Sequence, residues 1–234
     1  MAILLSTPGL VLHSIPYGDT SVVVKVFTRQ LGLRSYLVKG VRGPRGRIKQ
    51  NMLQPLSCVD MVVYDNPKHD LNHIKELSSR QPAPSPDAVG NALRFFKAEV
   101  LFRTLREQEP MPDLWDYVAA DASCEGSEVS NVPIRFLITV VHHLGVEPLD
   151  NYGAREPLFD LQQGRYVSEP SDTTLTAPLS LLMHKYLSSS GPIVPQPSAD
   201  DRRIVLDALI TYCRLHLGGL GNFNSHEILH TILK

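Results

Sequence analysis

The chain has 234 residues (26.0 kDa), 43% of them apolar and 20% charged, which excludes wholesale disorder and supplies core for one large domain or two small ones. No apolar run approaches the roughly 18 residues that a membrane span needs, and three scattered cysteines, Cys58, Cys124 and Cys213, suggest neither a disulfide framework nor a Cys-rich zinc site. The net charge of −1 divides unevenly: residues 1–80 carry 11 Lys/Arg against 5 Asp/Glu, and residues 81–234 carry 12 against 19.

The first 80 residues read as strands. Gly9–Ile15 and Ser21–Thr28 are rich in Val, Leu and Ile and are separated by Pro16-Tyr17-Gly18-Asp19, which has turn composition. Leu33–Val38 follows Gly32, with Leu33, Ser35 and Leu37 alternating with Arg34, Tyr36 and Val38. Leu56–Tyr64 and Leu71–Leu77 complete about five strands. Five strands in about 80 residues fit a small barrel of the OB type, because closure removes exposed edges.

Between the third and fourth strands lies Gly40-Val-Arg-Gly-Pro-Arg-Gly-Arg-Ile-Lys49, whose Gly and Pro keep it from packing as a regular element. No acid occurs between Asp19 and Asp60, whereas eight bases do: Lys25, Arg29, Arg34, Lys39, Arg42, Arg45, Arg47 and Lys49. Five are arginines, which match phosphate geometry, and no interspersed carboxylate pairs them. A basic module joined to an acidic one points to a polyanion partner.

Gln81-Pro-Ala-Pro-Ser-Pro86 has linker composition, with Ser85 and Pro86 fitting the first positions of a helix. Val89, Leu93, Phe96 and Val100 recur at helical spacing. Further helices are predicted at Pro112–Asp121, Val132–Leu144 and Leu179–Leu187. A long helix capped by Ser198 runs to Leu217, with Ile204, Val205, Ala208, Leu209 and Tyr212 on its inner face. Gly218 ends it, and a short helix starts at Ser225. Leu158–Val167, with Gln163-Gly164 at its middle, reads as a hairpin inserted between helices. The expected fold is therefore α+β: an OB barrel over 1–80, a helical bundle over 81–147 and 177–234, and a hairpin insert over 148–176.

Several stretches together resemble the RecO family of bacterial recombination mediators. They are Tyr17-Gly-Asp-Thr-Ser21, Val26-Phe-Thr-Arg-Gln-Leu-Gly32, Val38-Lys-Gly-Val-Arg42, Leu53-Gln-Pro-Leu56, Arg135-Phe with His143-Leu-Gly145, and Leu158-Phe-Asp with Gly164-Arg. The resemblance implies a non-enzyme of DNA repair and recombination. Such a protein binds single- and double-stranded DNA, anneals complementary strands and acts with RecR. It helps RecA assemble on strands coated by single-stranded DNA-binding protein, and works in the bacterial cytoplasm in association with the nucleoid. Some relatives carry a four-cysteine zinc site in the insert. Residues 148–176 here contain neither Cys nor His, so no cofactor or metal is expected there.

The DNA-binding candidates are Arg34, Lys39, Arg42, Arg45, Arg47 and Lys49, of which Lys39 and Arg42 match the family element directly. Bound Lys/Arg displace condensed cations from a phosphate chain, and the released ions drive sequence-independent association. Stacking is the second component of single-strand binding. Tyr36, flanked by Arg34 and Lys39, is the expected platform, whereas Phe27 and Tyr64 lie in strongly apolar strands and read as core. In the helical half, Arg135 beside Phe136, Leu137 and Val140 is the candidate for the acidic, aromatic C-terminal tail of single-stranded DNA-binding protein.

One motif belongs to another class. His226-Glu-Ile-Leu-His230 matches HExxH, in which two histidines one turn apart hold zinc and the glutamate activates water. Only Thr, Ile, Leu and Lys follow His230, so any third ligand must come from upstream. A hydrolase using His226, Glu227 and His230 is thus the alternative from the enzymes, and an RNA-binding OB module the alternative from the binding proteins. His142-His143, near a predicted helix end, read as structural, and no Walker or Rossmann glycine pattern occurs.

Overall fold

A computed structural model describes residues 3–41, 48–66, 68–80, 87–120, 129–188, 196–218, 220–221 and 223–233. Its contacts divide into two compact units, Met1–Ser123 and Cys124–Lys234.

The first unit is built on five strands: β1 (Ile3–Tyr17), β2 (Ser21–Thr28), β3 (Gly32–Val38), β4 (Cys58–Asp65) and β5 (Leu71–Ser79). They close into a barrel in the order β1-β2-β3-β5-β4, with β4 returning to β1. All pairs are antiparallel except β3 and β5. Alternation sends one residue in two inward. Val22, Val24 and Val26 of β2 meet Tyr36 and Val38 of β3 and Val59, Met61 and Val63 of β4 in one core.

Two helices complete this unit, α1 (Ala88–Thr104) and α2 (Pro112–Ala120). Asp87 caps α1, accepting a hydrogen bond from the Gly90 amide at 2.7 Å; the predicted start at Ser85-Pro86 lies outside the described residues. The segment between the helices runs against the β2–β3 end of the barrel. The Gln108 amide donates to Leu33 O at 3.0 Å, and Trp115 Nε1 donates to Phe27 O at 2.9 Å. Arg29 makes a two-pronged bond with Asp116 at 2.8 Å, and Lys25 pairs with Glu107. Gly32 is required here. Its φ is +69°, and a Cβ would lie 2.3 Å from the Glu109 carbonyl oxygen. α1 also packs on β1, where the Phe102 and His13 rings stack at 5.0 Å. Strands give way to helices as expected near residue 80, but the compact units divide at 123/124. The polar and apolar contacts of 105–116 with β2 and β3 hold α1 and α2 to the barrel.

The second unit contains α3 (Val132–His143), the hairpin strands β6 (Leu158–Asp160) and β7 (Arg165–Val167), α4 (Ala177–Ser188), α5 (Ala199–Leu217) and α6 (Ser225–Ile232). The hairpin turns at Gly164, with φ +67°. Ser198 caps α5 by accepting from the Asp201 amide at 3.0 Å, and Gly218 ends it in the left-handed region. Val205, Ala208, Leu209 and Tyr212 form its inner face as expected. Ile204 does not: it is 44% exposed, because the buried stripe shifts to Leu206 and Ile210.

Candidate nucleic-acid interface

Two of the sequence candidates sit inside the barrel. Ladder pairing places Arg34 opposite Val26 and Tyr36 opposite Val24, and those valines point into the core. The Arg34 side chain is 8% exposed and approaches Asp65, itself 9% exposed, at 3.6 Å. Arg34 Nε and Nη1, Asp65 Oδ1 and Tyr36 Oη are buried without a hydrogen-bond partner among the described residues. Burial pushes the Tyr36 phenol well above its ordinary range. Arg34 is therefore the buried partner of Asp65, and Tyr36 is a core ring. Neither offers a surface to phosphates or bases.

Lys39 and Lys49 are exposed at the two ends of the Gly- and Arg-rich stretch. Lys39 follows directly on β3, and Lys49 precedes a 3₁₀ turn, Gln50–Leu53, whose Leu53 is buried in the barrel core. Arg42, Arg45 and Arg47 lie outside the described residues.

The structure adds a surface that the sequence concealed. Outward positions line up from strand to strand in one row: Ile15 opposite Val23, Val23 opposite Leu37, Leu37 opposite His73, His73 opposite Tyr64, and Tyr64 opposite Leu4. Leu4, Ile15 and Tyr64 are 51%, 47% and 43% exposed, and His73 is exposed. Tyr64 is thus on the surface, contrary to its apolar surroundings in sequence. In β4 the alternation puts Val59, Met61 and Val63 inward, so Tyr64 must face out.

This row winds around the barrel, starting at Ile15 near the end of β1 and returning to the same strand at Leu4 near its start. The β1–β2 turn with exposed Tyr17 and the exit of β3 at Lys39 lie at one end of the barrel. Because β3 and β5 are parallel, the other end carries the β2–β3 turn and the β4–β5 turn with exposed Lys68 and His69. The Asn72 side chain braces the last of these turns, accepting from the Asn66 amide at 3.0 Å and donating to His69 O at 3.3 Å. The β2–β3 turn is covered by the segment between α1 and α2. Asp19 and Asp70 are also exposed in the β1–β2 and β4–β5 turns, so the described residues of these turns carry both signs. The positive excess resides in residues 42–49.

In the second unit, Phe136, Leu137 and Val140 are at most 1% exposed. They pack in the core, and the Arg135 guanidinium lies 5.9 Å from the centre of the Tyr186 ring. Neither they nor Arg135 line the open cavity of about 360 Å³ in this unit. Pro133, Ile134, Leu206 and Leu229 supply apolar wall, and Arg202, Arg203 and His230 supply polar wall. In the hairpin insert, Asp160 accepts from the amides of Gln162 and Gln163 and from the hydroxyls of Ser171 and Thr173, between 2.7 and 3.1 Å. This oxygen-centred turn, with no thiolate or imidazole in 148–176, does not fit the four-cysteine zinc site of some relatives. His142 pairs with Glu147, a contact at the end of α3.

The family model described as "Recombination protein O N terminal" matches residues 1–83, which span the whole barrel. Similar proteins named "DNA repair protein RecO" extend beyond it. That of Phocaeicola vulgatus is 28% identical over 95% of this chain and 96% of its own length. That of Porphyromonas gingivalis is 28% identical over 96% and 97%. That of Bacteroides fragilis is 32% identical over 69% of each.

Proposed function

This chain belongs to the RecO family, and from that premise we propose that it acts in DNA repair and recombination by binding DNA without sequence preference. On this reading it holds single strands and duplexes by their phosphates and anneals complementary strands. With RecR it helps RecA assemble on strands coated by single-stranded DNA-binding protein. The place of action is the bacterial cytoplasm, at the nucleoid; none of the described helices is long and apolar enough to cross a membrane.

The observation that carries the reading is the exposed row that winds from Ile15 through His73 and Tyr64 to Leu4. Lys39, the first base of the basic stretch in the sequence, follows β3 two positions after Leu37, which belongs to that row. OB barrels take single strands by combining a cationic track with aromatic rings on which bases stack. The candidate set is accordingly Lys39, Arg42, Arg45, Arg47 and Lys49 with Tyr64, and Arg34 and Tyr36 leave it. Annealing needs no catalytic residue: a cationic surface lowers the repulsion between two phosphate chains while keeping them close. For the acidic tail of single-stranded DNA-binding protein, an arginine beside an apolar recess is the chemistry required. The cavity walled by Ile134, Leu206, Arg202 and Arg203 meets that description better than the surroundings of Arg135.

The test is a strand-annealing assay on wild type and an Arg42/Arg45/Arg47→Glu variant whose folding is checked by circular dichroism. Loss of annealing in the folded variant supports the reading, and unchanged annealing removes its central site.

A further inference from the structure

The HExxH segment gains in the structure the upstream partner that the sequence leaves unidentified. α6 places His226 and His230 one turn apart on the same face. α5 presents Asp207 to them, and His230 Nε2 lies 2.8 Å from Asp207 Oδ1. One donor atom from each of Asp207, His226 and His230 lies within 4.8 Å of the others. We propose that these three side chains form a binding site for a divalent cation of the zinc type, which pins the C-terminal helix α6 to α5.

Four observations support this. The donor set is two imidazoles and one carboxylate, which suits zinc and its first-row neighbours rather than calcium or magnesium. The spacing is close to what such an ion needs, because bonds of about 2.0–2.1 Å in a tetrahedron separate donor atoms by about 3.3–3.4 Å. From 2.8 Å, His230 Nε2 and Asp207 Oδ1 would part by about half an ångström, and the separations to His226, at most 4.8 Å, would close by no more than about 1.5 Å through rotamer adjustment. His226 Nδ1 is buried with no hydrogen-bond partner among the described residues, and an unmet polar atom of this kind is costly. Finally, the Phe223 ring stacks on the His226 ring, with centroids 5.3 Å apart and planes within 2° of parallel, which orients it.

Three protein donors leave a fourth position for water, and His230 also borders the cavity described above. Glu227, the residue that would activate water in a hydrolase, is exposed. The proposal is one of binding and of helix attachment, and it stands independently of the DNA-binding reading.

The test uses the full chain freed of metal with a chelator and titrated with Co²⁺ or Zn²⁺. The expected results are the visible absorption of tetrahedral Co²⁺ at one equivalent and a rise of about 5–10 °C in Tm at saturating Zn²⁺. Asp207→Asn and His226→Ala should each weaken binding by about 100-fold or more. Asp207→Asn keeps a hydrogen-bond acceptor for His230, so its folding is preserved even if His226→Ala loosens α6. His143→Ala, outside the site, should bind as wild type does. No cobalt spectrum and no thermal shift in the wild-type chain would overturn the site, as would binding that Asp207→Asn retains.

Discussion

Replacing Arg34 by Met tests whether this residue belongs to the barrel interior or to the DNA surface. In the structure its guanidinium and the Asp65 carboxylate are both less than a tenth exposed and stand 3.6 Å apart. At an effective dielectric of about 20, two unit charges at that distance attract by about 4–5 kcal/mol. Desolvation of each ion costs several kcal/mol, and three of their polar atoms have no partner among the described residues. The pair is therefore close to break-even as a whole, yet removing one member strands the other charge. Arg34→Met should cost about 3–5 kcal/mol. The double variant Arg34→Met/Asp65→Leu should recover most of it. Trp115, the only tryptophan, lies against Phe27 O of β2, so its fluorescence reports on this unit alone. With a urea m-value of about 2 kcal/mol/M, the single variant should shift the midpoint down by about 1.5–2.5 M. DNA affinity, measured well below that midpoint, should stay within about twofold of wild type. A stable Arg34→Met protein with weakened DNA binding would refute the placement, and so would a double variant no better than the single one.

Two further outcomes follow from burial and exposure. Tyr64→Ala should weaken single-strand affinity about 5- to 150-fold, the usual value of one base stacked on an aromatic ring, with little change in stability since the ring is 43% exposed. Tyr64→Phe should bind as wild type does, and equal loss in both variants would contradict stacking; fluorescence anisotropy with a labelled oligonucleotide reads all three. Burial pushes the Cys213 thiol up to about 12 and raises that of Cys58, so both stay protonated and are 1% and 4% exposed. Ellman's reagent at pH 8 should find at most one thiol in the native chain and three after unfolding in guanidinium. Rapid native labelling at Cys58 or Cys213 would contradict the packing.

Much of this architecture is legible from local chemistry. The β1–β2 turn, the Ser198 cap, the Gly218 stop and the Gly164 hairpin each depend on residues within a few positions of one another. The facing of β3 does not. Its outer residue Leu33 and the neighbouring Phe27 are covered by the segment between α1 and α2, so the outside of the strand is apolar as well. That cover erases the polar alternation that would mark Arg34 as inward, and the deciding partner, Asp65, is on another strand. Tyr64 is hidden for the complementary reason, since its neighbours Val62 and Val63 are apolar on both faces and only strict parity from Val59 reveals it. Asp207 is separated from His226 by the whole α5–α6 turn, and one aspartate in a helix of three acids and three arginines carries no signal of its own.

The claim on which the account rests is that the stretch after β3 supplies the phosphate contacts. Its direct measure is the salt dependence of oligonucleotide binding. With Lys39, Arg42, Arg45, Arg47 and Lys49 engaged, log K should fall with log salt at a slope of about −3.5 for single strands, and at about −1.4 for Arg42/Arg45/Arg47→Ala. A flat wild-type line, or the same slope in the variant, would contradict it.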